Sequence, residues 1–260
     1  MRHVPRKRFG QNFLTDEVAV AAIVAAIAPQ PRDRVVEIGP GLGALTRPLA
    51  ARLDHLQVIE IDRDIVARLR SAFPAGQVTV HEGDALRFDF SALGPRLRVV
   101  GNLPYNISTP LLFHLAQHAA AILDIHVMLQ KEVVERMVAA PSTSEYGRLS
   151  VMLQYRFEME KLLDVPPAAF RPAPKVESAV LRMTPFARLP HPVRSETAFG
   201  KIVAAAFSQR RKTLRNALQA HFRGADFDKL GVDAGLRAQD LRLEEFVRLA
   251  DEFLRKRSEE

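Results

Sequence analysis

From residue 32 onwards, short apolar runs alternate with helix-like segments, and this alternation restricts the possible folds more than any other feature of the chain. The apolar runs predict strands over residues 34–38, 56–61, 77–81, 96–101 and 125–130. The segments between and after them predict helices over residues 44–52, 65–73, 109–120 and 131–139. Strands that alternate with helices are typical of a parallel sheet with helices on both faces. The sequence therefore predicts an α/β fold for this part of the chain.

The character of the sequence changes near residues 185–192. Before this point, two more strands are predicted over residues 150–157 and 178–183, with a proline-rich loop between them. After it, only helical periodicity remains, most clearly over residues 198–207, 209–222 and 243–256. At the other end, Thr15 is expected to cap a helix that Pro29 and Pro31 terminate. We therefore predict an α/β domain over residues 1–188 and a small all-helical domain over residues 189–260.

The composition is basic and contains no cysteine. Lys and Arg number 37 against 30 Asp and Glu, which gives a net charge of +7. This balance favours a polyanionic partner, although a solubilising surface charge explains it equally well. The absence of cysteine excludes disulfides, thiolate zinc sites and cysteine nucleophiles, and it fits a cytoplasmic protein. The eight histidines show no metal-ligand spacing, and no apolar stretch reaches the roughly 18–20 residues that span a membrane. Neither a metal nor a membrane is expected.

A glycine-rich turn follows the first predicted strand, in the sequence EIGPGLG at residues 37–43. Gly39 and Gly41 allow positive φ and let a ligand approach the backbone closely. A helix is predicted directly after the turn, so its first amides face the same ligand. With Ala44, these glycines also fit the dinucleotide fingerprint G-x-G-x-x-G/A. The turn predicts a nucleotide-type ligand and leaves its identity open.

Two acidic residues follow the next two strands. Glu60 ends the second strand, where a carboxylate accepts hydrogen bonds from both ribose hydroxyls of a nucleotide. Asp84 follows the third strand, where it could accept a hydrogen bond from an adenine amine. Ligands in doubly wound sheets bind at the carboxyl ends of the strands, and all of these positions lie there. We therefore predict one nucleotide site along this edge of the sheet.

The fourth strand runs into the tetrapeptide Asn102, Leu103, Pro104 and Tyr105. The side-chain oxygen of Asn102 and the backbone carbonyl of Pro104 could each accept a hydrogen from the N6 amine of adenine. This would favour the tetrahedral geometry that the amine needs for attack. Tyr105 could stack on the base and hold it in line. The tetrapeptide therefore predicts methyl transfer to an amino group of a nucleobase.

Two groups of basic residues are candidate RNA contacts. Arg210, Arg211, Lys212 and Arg215 lie on a predicted helix and would contact RNA phosphates, although a solvated helix face is the simpler interpretation of such a cluster alone. Arg2, Arg6, Lys7 and Arg8 are interpreted as an arm that becomes ordered on binding.

Six segments together resemble the KsgA/RsmA family of ribosomal RNA adenine dimethyltransferases, and the resemblance covers nearly the whole chain. They are FGQNFL (residues 9–14), EIGPGLG (37–43), NLPYNIS (102–108), YGRLSV (146–151), FRPAPKVESAV (170–180) and FSQRRKTLRNAL (207–218). FGQNFL, NLPY and FSQRRKTLRN are the specific parts. The resemblance implies a Rossmann-like methyltransferase domain with S-adenosylmethionine as donor, S-adenosylhomocysteine as product and no metal. It implies that two adjacent adenines near the 3′ end of 16S ribosomal RNA each receive two methyl groups on N6.

The resemblance also assigns roles to residues of this chain. Within this resemblance the helical domain is expected to bind RNA in the small ribosomal subunit, and we expect the chain to be a monomer. Residues 102–105 become the catalytic motif, and Phe170 becomes the ring that sandwiches the adenine opposite Tyr105. Donor binding falls to a group of residues at the edge of the sheet: Asn12, Leu14, Gly39, Gly41, Glu60, Asp84 and Asn102.

Other functions remain open at this point. Erm-type enzymes, which methylate 23S RNA, share the NLPY-type site, although the extended match favours the small subunit. A DNA adenine methyltransferase uses overlapping chemistry. A ribosome-assembly factor that acts mainly by binding is a candidate of a different class. A dinucleotide-dependent oxidoreductase rests on the glycine turn alone.

Overall fold

The computed structural model describes residues 12–258. Of these residues, those up to Val134 and Glu158–Pro185 form one compact unit, whereas Glu135–Phe157 and the residues from Phe186 onwards form a second. The basic arm at residues 2–8 and the first part of FGQNFL lie outside the described residues. The sequence analysis placed residues 135–157 in the α/β domain, and the structure groups them with the C-terminal helices.

The first unit is built on a seven-stranded sheet. Its strands are β2 (Arg34–Ile38), β3 (Leu56–Glu60), β4 (Val78–Glu82), β5 (Leu97–Asn102), β6 (Ile122–Gln130), β7 (Phe157–Val165) and β9 (Ser178–Pro185). The short strands β1 (Phe13–Leu14) and β8 (Phe170–Arg171) form a separate antiparallel pair. The order in the large sheet is β4-β3-β2-β5-β6-β9-β7. The first five of these strands are parallel, and β9 runs antiparallel to β6. The predicted parallel sheet is therefore a mixed one.

The helix α1 (Glu17–Ile27) precedes the first parallel strand, and α2 (Thr46–Ala50), α3 (Arg63–Ala72) and α4 (Ser108–Gln117) connect parallel strands. The helix α5 (Lys131–Val138) follows β6, and its residues from Glu135 onwards belong to the second unit. The central strands are apolar on both faces: Val35 and Val36 of β2 and Val99 and Val100 of β5 are all buried. Strands of this kind need cover on both sides, which the connecting helices supply.

The helix α1 begins one residue later than the sequence predicts. Asp16, and not Thr15, is its N-cap, and the Asp16 carboxylate accepts a hydrogen bond from the backbone N–H of Ala19. Both the backbone N–H and the hydroxyl of Thr15 donate to the carbonyl of Ala169, which ties Thr15 to the segment before β8. The helix ends at Ile27, ahead of Pro29, as the prolines predict.

The second unit has its own apolar core and a set of helices. The helices are α6 (Arg148–Gln154), α7 (Glu196–Phe207), α8 (Leu214–Ala217), α9 (Gly224–Leu230) and α10 (Leu243–Arg257). Its core is rich in aromatic and aliphatic side chains such as Phe199, Phe227, Phe246 and Leu249. No strand is assigned to this unit beyond Pro185 in the described residues, in agreement with the predicted change of character.

Two predicted elements are wrong. Residues 150–157 form the end of α6 and the start of β7 rather than one strand. Their apolar composition resembles a strand, but Ser150 anchors a helix here because its hydroxyl accepts the N–H of Gly147 and donates to the carbonyl of Arg136. Polar side-chain bonds of this kind select the helical turn over an extended chain.

The predicted helix over residues 209–222 is mostly turns, with α8 as its only α-helical part. Thr213 pairs with Arg237 in an isolated antiparallel bridge, and the N–H of Leu214 donates to the carbonyl of Leu236 at 2.8 Å. These backbone groups are tied to a neighbouring segment, so a continuous helix cannot use them. The basic residues at 210–212 therefore lie in turns.

Within residues 12–258, no helix is both long enough and apolar enough to cross a membrane.

Candidate active site

Asn102 is the last residue of β5, and one hydrogen bond fixes the orientation of its side-chain amide. Its Nδ2 donates to the backbone carbonyl of Asn12 at 3.1 Å. A carbonyl only accepts hydrogen bonds, so this contact fixes which end of the Asn102 amide is nitrogen. Asn102 also lines a pocket at the carboxyl edge of the sheet. Its side-chain oxygen is thereby left to accept a hydrogen bond from a ligand.

The rest of the tetrapeptide is fixed to the sheet and to itself. Leu103 is buried, and its N–H donates to the carbonyl of Met128 on β6 at 3.1 Å. The carbonyl of Pro104 accepts the N–H of Ile107 at 3.1 Å, which leaves one of its two lone pairs for a ligand. The Oη of Tyr105 lies 2.7 Å from the Oγ of Ser178. The tetrapeptide is therefore a rigid turn at the carboxyl edge of the sheet.

The pocket beside this turn lies where the sequence analysis places the nucleotide site. It is formed at the carboxyl ends of β2, β3, β4 and β5, and it occupies about 230 Å³. One water needs roughly 10–15 Å³ on this scale, so the pocket accommodates a much larger ligand. Every residue predicted to bind the donor lines it: Asn12, Leu14, Gly39, Gly41, Glu60, Asp84 and Asn102.

Two of the three glycines in the turn, Gly39 and Gly41, line the pocket, and the backbone conformation there favours glycine. Gly39 has φ of +65° and Gly41 has φ of +54°, a region that side chains rarely adopt. A Cβ on Gly41 would also lie 3.1 Å from the ring of Phe13. Phe13 belongs to β1 and lines the same pocket. The FGQNFL and EIGPGLG segments are thus packed against each other at the ligand site.

Glu60 ends β3 and directs its carboxylate into a set of backbone amides. Its Oε1 accepts the N–H groups of Ile61 and Asp62, each at 2.9 Å, and its Oε2 lies 3.4 Å from the N–H of Gly41. Burial raises the pKa of Glu60, and these amides act in the opposite direction. The long contact to Gly41 leaves Oε2 able to accept a stronger hydrogen bond from a ligand hydroxyl.

Sequence comparison with protein families assigns the chain. A model of the family described as ribosomal RNA adenine dimethylase matches residues 2–255. The chain belongs to the ribosomal RNA adenine dimethylase family. The resemblance inferred from the six motifs is therefore confirmed.

Similar proteins and structures agree with this family. The protein named ribosomal RNA small subunit methyltransferase A from Thiobacillus denitrificans is 64% identical over 94% of this chain and 96% of its own length. The protein of that name from Nitrosospira multiformis is 61% identical over 99% of this chain and 100% of its own length.

Two solved structures share the fold. A dimethyladenosine transferase from Plasmodium falciparum has a TM-score of 0.77 and 25% identity, and the match covers 94% of this chain and 98% of that one. The 23S rRNA methyltransferase ErmE has a TM-score of 0.72 and 28% identity over 93% and 99% of the two chains. The predicted fold, a Rossmann-like methyltransferase domain followed by helices, is confirmed.

Among the residues predicted for the catalytic and donor sites, Phe170 does not line the pocket. Its ring is fully buried and belongs to the apolar core that also contains Phe13, Leu14 and Met128. Its backbone pairs with Leu14 across β1 and β8. A stacking role for Phe170 stays a prediction, and it requires the ring to leave this core.

The residues of the predicted helical domain that are expected to contact RNA all lie in the second unit. Arg210, Arg211, Lys212 and Arg215 are exposed. Arg210 donates to the carbonyl of Ser144, which ties it to the loop before α6. No ion pair is found for Arg211, Lys212 or Arg215 among residues 12–258. These three side chains are free to contact an anion.

Three features in or beside the pocket were not found by the sequence analysis. Ile61 lines the pocket with 48% of its surface exposed, so it offers an apolar face to a ligand. Ser178 reaches Tyr105 from a strand 73 residues away. Glu37 was part of the glycine motif but had no role assigned to it.

Glu37 is a buried carboxyl that lines the same pocket. Burial raises its pKa from 4.5 to about 8, although the neighbouring Thr46 hydroxyl acts in the opposite direction; the negative charge of Glu60 adds to the effect of burial. Within the described residues its Oε2 has no hydrogen-bond partner. A buried carboxyl oxygen without a partner fits a ligand that brings a donor or a positive charge.

The raised pKa of Glu37 predicts that the folded state loses stability as the pH rises. A carboxyl whose pKa is higher in the folded than in the unfolded state stabilises the fold below pH 4.5, and this contribution is lost as pH rises towards 8. Each pH unit in that window costs up to about 1.4 kcal/mol. We expect Glu37→Gln to gain stability relative to the wild type between pH 5 and pH 8.

Urea unfolding at pH 5, 6.5 and 8, without donor, measures this difference. Glu158→Gln, a change at an exposed glutamate of β7, serves as the control. The prediction fails if the difference between Glu37→Gln and the wild type is the same at all three pH values.

Proposed function

We propose that this chain transfers methyl groups from S-adenosylmethionine to N6 of two adjacent adenines near the 3′ end of 16S ribosomal RNA in the small ribosomal subunit. Membership of the ribosomal RNA adenine dimethylase family gives the class of reaction. The observation that carries the proposal is the hydrogen bond from the Asn102 amide nitrogen to the carbonyl of Asn12, which leaves the amide oxygen of this pocket-lining residue as an acceptor. An acceptor at this position suits an exocyclic amine.

The residues that line the pocket fit the proposed donor. S-Adenosylmethionine carries a nucleoside and a sulfonium, so its site needs acceptors for ribose hydroxyls and a favourable environment for positive charge. Glu60 supplies the acceptors, and the unpartnered oxygen of Glu37 supplies a group that gains from a cation. Gly39, Gly41 and the face of Ile61 would hold the nucleoside. When bound, the donor supplies an electrophilic methyl group.

The chain's own residues bind and orient the adenine. The amine is a weak nucleophile because its lone pair is delocalised into the ring. The Asn102 oxygen and the free lone pair of the Pro104 carbonyl accept its hydrogens, which draws the amine towards tetrahedral geometry. Tyr105 stacks on a base that no longer stacks on its neighbours in the RNA, which is the form in which RNA bases are usually recognised. Because the amine is held in position relative to the methyl group, a bimolecular reaction becomes effectively unimolecular.

The substrate is proposed to be small-subunit RNA rather than large-subunit RNA. The relatives from Thiobacillus denitrificans and Nitrosospira multiformis, both above 60% identity over nearly the whole chain, carry a small-subunit name. The 23S enzyme ErmE shares the fold at only 28% identity. We further propose that the chain acts as a monomer in the cytoplasm, with the second unit contacting RNA.

Transfer of labelled methyl groups tests the proposal. Small subunits that lack the modification, naked 16S RNA, 23S RNA and DNA are incubated with the chain and labelled S-adenosylmethionine, and the products are digested to nucleosides. We expect N6,N6-dimethyladenosine from small subunits alone. Label in 23S RNA would support an Erm-type enzyme, and tight subunit binding without label would support an assembly factor.

Arg211 and Lys212 test the proposed RNA contact of the second unit. Phosphate contacts release counterions, so the logarithm of affinity falls with the logarithm of salt concentration by roughly 0.7–0.9 for each charge. We expect the double change Arg211→Gln and Lys212→Gln to weaken binding to small subunits and to reduce this slope by about 1–2. The measurement is a binding titration at several salt concentrations.

The matched control removes the same charge elsewhere in the second unit, through Lys201→Gln and Arg248→Gln. Both side chains are exposed on helices, α7 and α10 respectively. If both double variants change the slope of affinity against salt concentration equally, the effect comes from net charge. Arg211 and Lys212 would then no longer be assigned as RNA contacts.

A further inference from the structure

Ser178 is a fully buried residue whose hydroxyl group lies beside that of Tyr105, a residue that lines the pocket. Its Oγ lies 2.7 Å from the Oη of Tyr105, close enough for a hydrogen bond in which either atom is the donor. An unpaired hydroxyl in the core costs stability, and the phenol of Tyr105 removes that cost. The bond therefore joins a core position to a ring that lines the pocket.

The sheet holds Ser178 in a fixed place. It is the first residue of β9 and lies opposite Gln130, the last residue of β6. The residue before it is also anchored: the backbone N–H of Lys131 donates to the carbonyl of Glu177 at 3.0 Å, and Lys131 Nζ donates to the Glu177 carboxylate at 2.8 Å. Ser178 is thus the fixed partner of the pair.

Tyr105 is the partner that gains from being fixed. It lies in the turn after β5, is only partly buried and lines the pocket. At its backbone, the carbonyl accepts a hydrogen bond from Ser108 Oγ at 3.1 Å. A tyrosine ring turns about two side-chain bonds, so tethering both its backbone and its phenol leaves one ring plane. Burial raises the pKa of Tyr105, so the phenol stays neutral and the bond persists at ordinary pH.

We propose that Ser178 is a positioning residue for methyl transfer, because its hydroxyl holds the phenol of Tyr105 and so sets the ring plane on which the target adenine stacks. This inference rests on the proposed function. It explains why a tyrosine rather than a phenylalanine stands at position 105, since stacking alone needs only a ring. Its effect falls on the orientation of the bound base rather than on affinity, so it should appear in kcat more than in KM.

A double-mutant cycle over Ser178→Ala and Tyr105→Phe tests the inference, with labelled methyl transfer to unmodified small subunits as the assay. Each single change removes the same hydrogen bond, and we expect each to lower kcat about fivefold to tenfold with little change in KM. The double variant should be no slower than either single variant, because the bond is lost only once. Tyr105→Phe leaves the buried strand untouched, so it probes the bond even if Ser178→Ala folds poorly.

Ser150→Ala is the matched control, since Ser150 is equally buried but bonds to the backbone around α6 in the second unit. We expect it to lower the unfolding midpoint without changing kcat. Three results would overturn the inference: wild-type kcat in Tyr105→Phe, an equal loss from Ser178→Ala in both backgrounds, or a change confined to KM. Absence of methyl transfer by the wild type would overturn the proposed function together with it, whereas an active wild type isolates the role of Ser178.

Discussion

Replacement of Asn102 by alanine is expected to lower kcat for methyl transfer about 100- to 1,000-fold while the fold remains intact. The change removes the acceptor that draws the adenine amine towards its reactive geometry, and the loss of one preorganised polar contact at a reacting centre typically has this size. The fold should survive because Asn102 is only partly buried and, within residues 12–258, its side chain bonds to the Asn12 carbonyl alone, at 3.1 Å.

Single-turnover methyl transfer at saturating donor and RNA measures this effect, with thermal unfolding as the check on the fold. Asn102→Asp separates orientation from acceptance, because it keeps acceptor oxygens but loses the donor to Asn12. We expect its rate to lie between those of the wild type and Asn102→Ala. Normal turnover in Asn102→Ala would remove the catalytic role assigned to this residue.

The sequence predicts the carboxyl edge of the sheet well because each functional residue directly follows an apolar strand. Glu60 ends β3, Asp84 follows β4 and Asn102 ends β5. In a parallel sheet, neighbouring strand ends meet at one edge, so the period of the strands alone brings these residues together. All three residues line the pocket in the structure.

Contacts that depend on register between distant segments are not predictable in this way. Ser178 meets Tyr105 across 73 residues because β9 pairs antiparallel with β6, which no local pattern indicates. Phe170 shows the same limit: an aromatic residue in a loop gives no sign of whether its ring faces the pocket or the core. Its burial follows from the pairing of β8 with β1, an interaction between residues far apart in the sequence.

The sequence analysis assigned no role to Arg98, which forms a buried network of ion pairs and hydrogen bonds in the first unit. It lies inside the apolar strand β5 and is 8% exposed. Its guanidinium forms ion pairs with Asp33 at 2.6 Å and Asp124 at 2.9 Å, and it donates to the carbonyl of Ile27 at 2.7 Å. The helix α1 ends at Ile27 and has no basic residue in its last turn, so Arg98 supplies the positive charge that its C-terminus lacks.

We expect Arg98→Met to lower the free energy of unfolding by about 3–5 kcal/mol at pH 7, the usual cost of removing one partner from a buried ion pair. This would be a large fraction of the roughly 5–15 kcal/mol that stabilises a typical domain. Two carboxylates and a helix terminus lose their common partner, and methionine fills the volume without replacing any of these bonds. Urea unfolding measures the change.

The pKa of Asp124 gives this prediction a pH signature. Burial alone would raise the pKa, but the neighbouring His126 and Arg98 side chains hold it below its ordinary value of 3.8. A carboxyl with a lowered folded pKa stabilises the fold above its unfolded pKa, and this contribution is lost as pH falls through the folded value. The difference between wild type and Arg98→Met should therefore be greatest near pH 7 and shrink below about pH 4.

Arg63→Met is the matched control because it breaks an ion pair of similar length at the surface. Arg63 Nε lies 3.1 Å from Glu82 Oε1, but the Arg63 side chain is 87% exposed, so water and salt screen the pair and its loss should cost less than about 1 kcal/mol. Equal losses from the two changes would contradict the role given to Arg98, as would a loss that is the same at pH 7 and pH 3.5. The effects of the two changes on stability must differ in both size and pH dependence, since Arg98 is buried and bonds to two carboxylates and a helix terminus, whereas Arg63 is exposed and pairs with Glu82 at the surface.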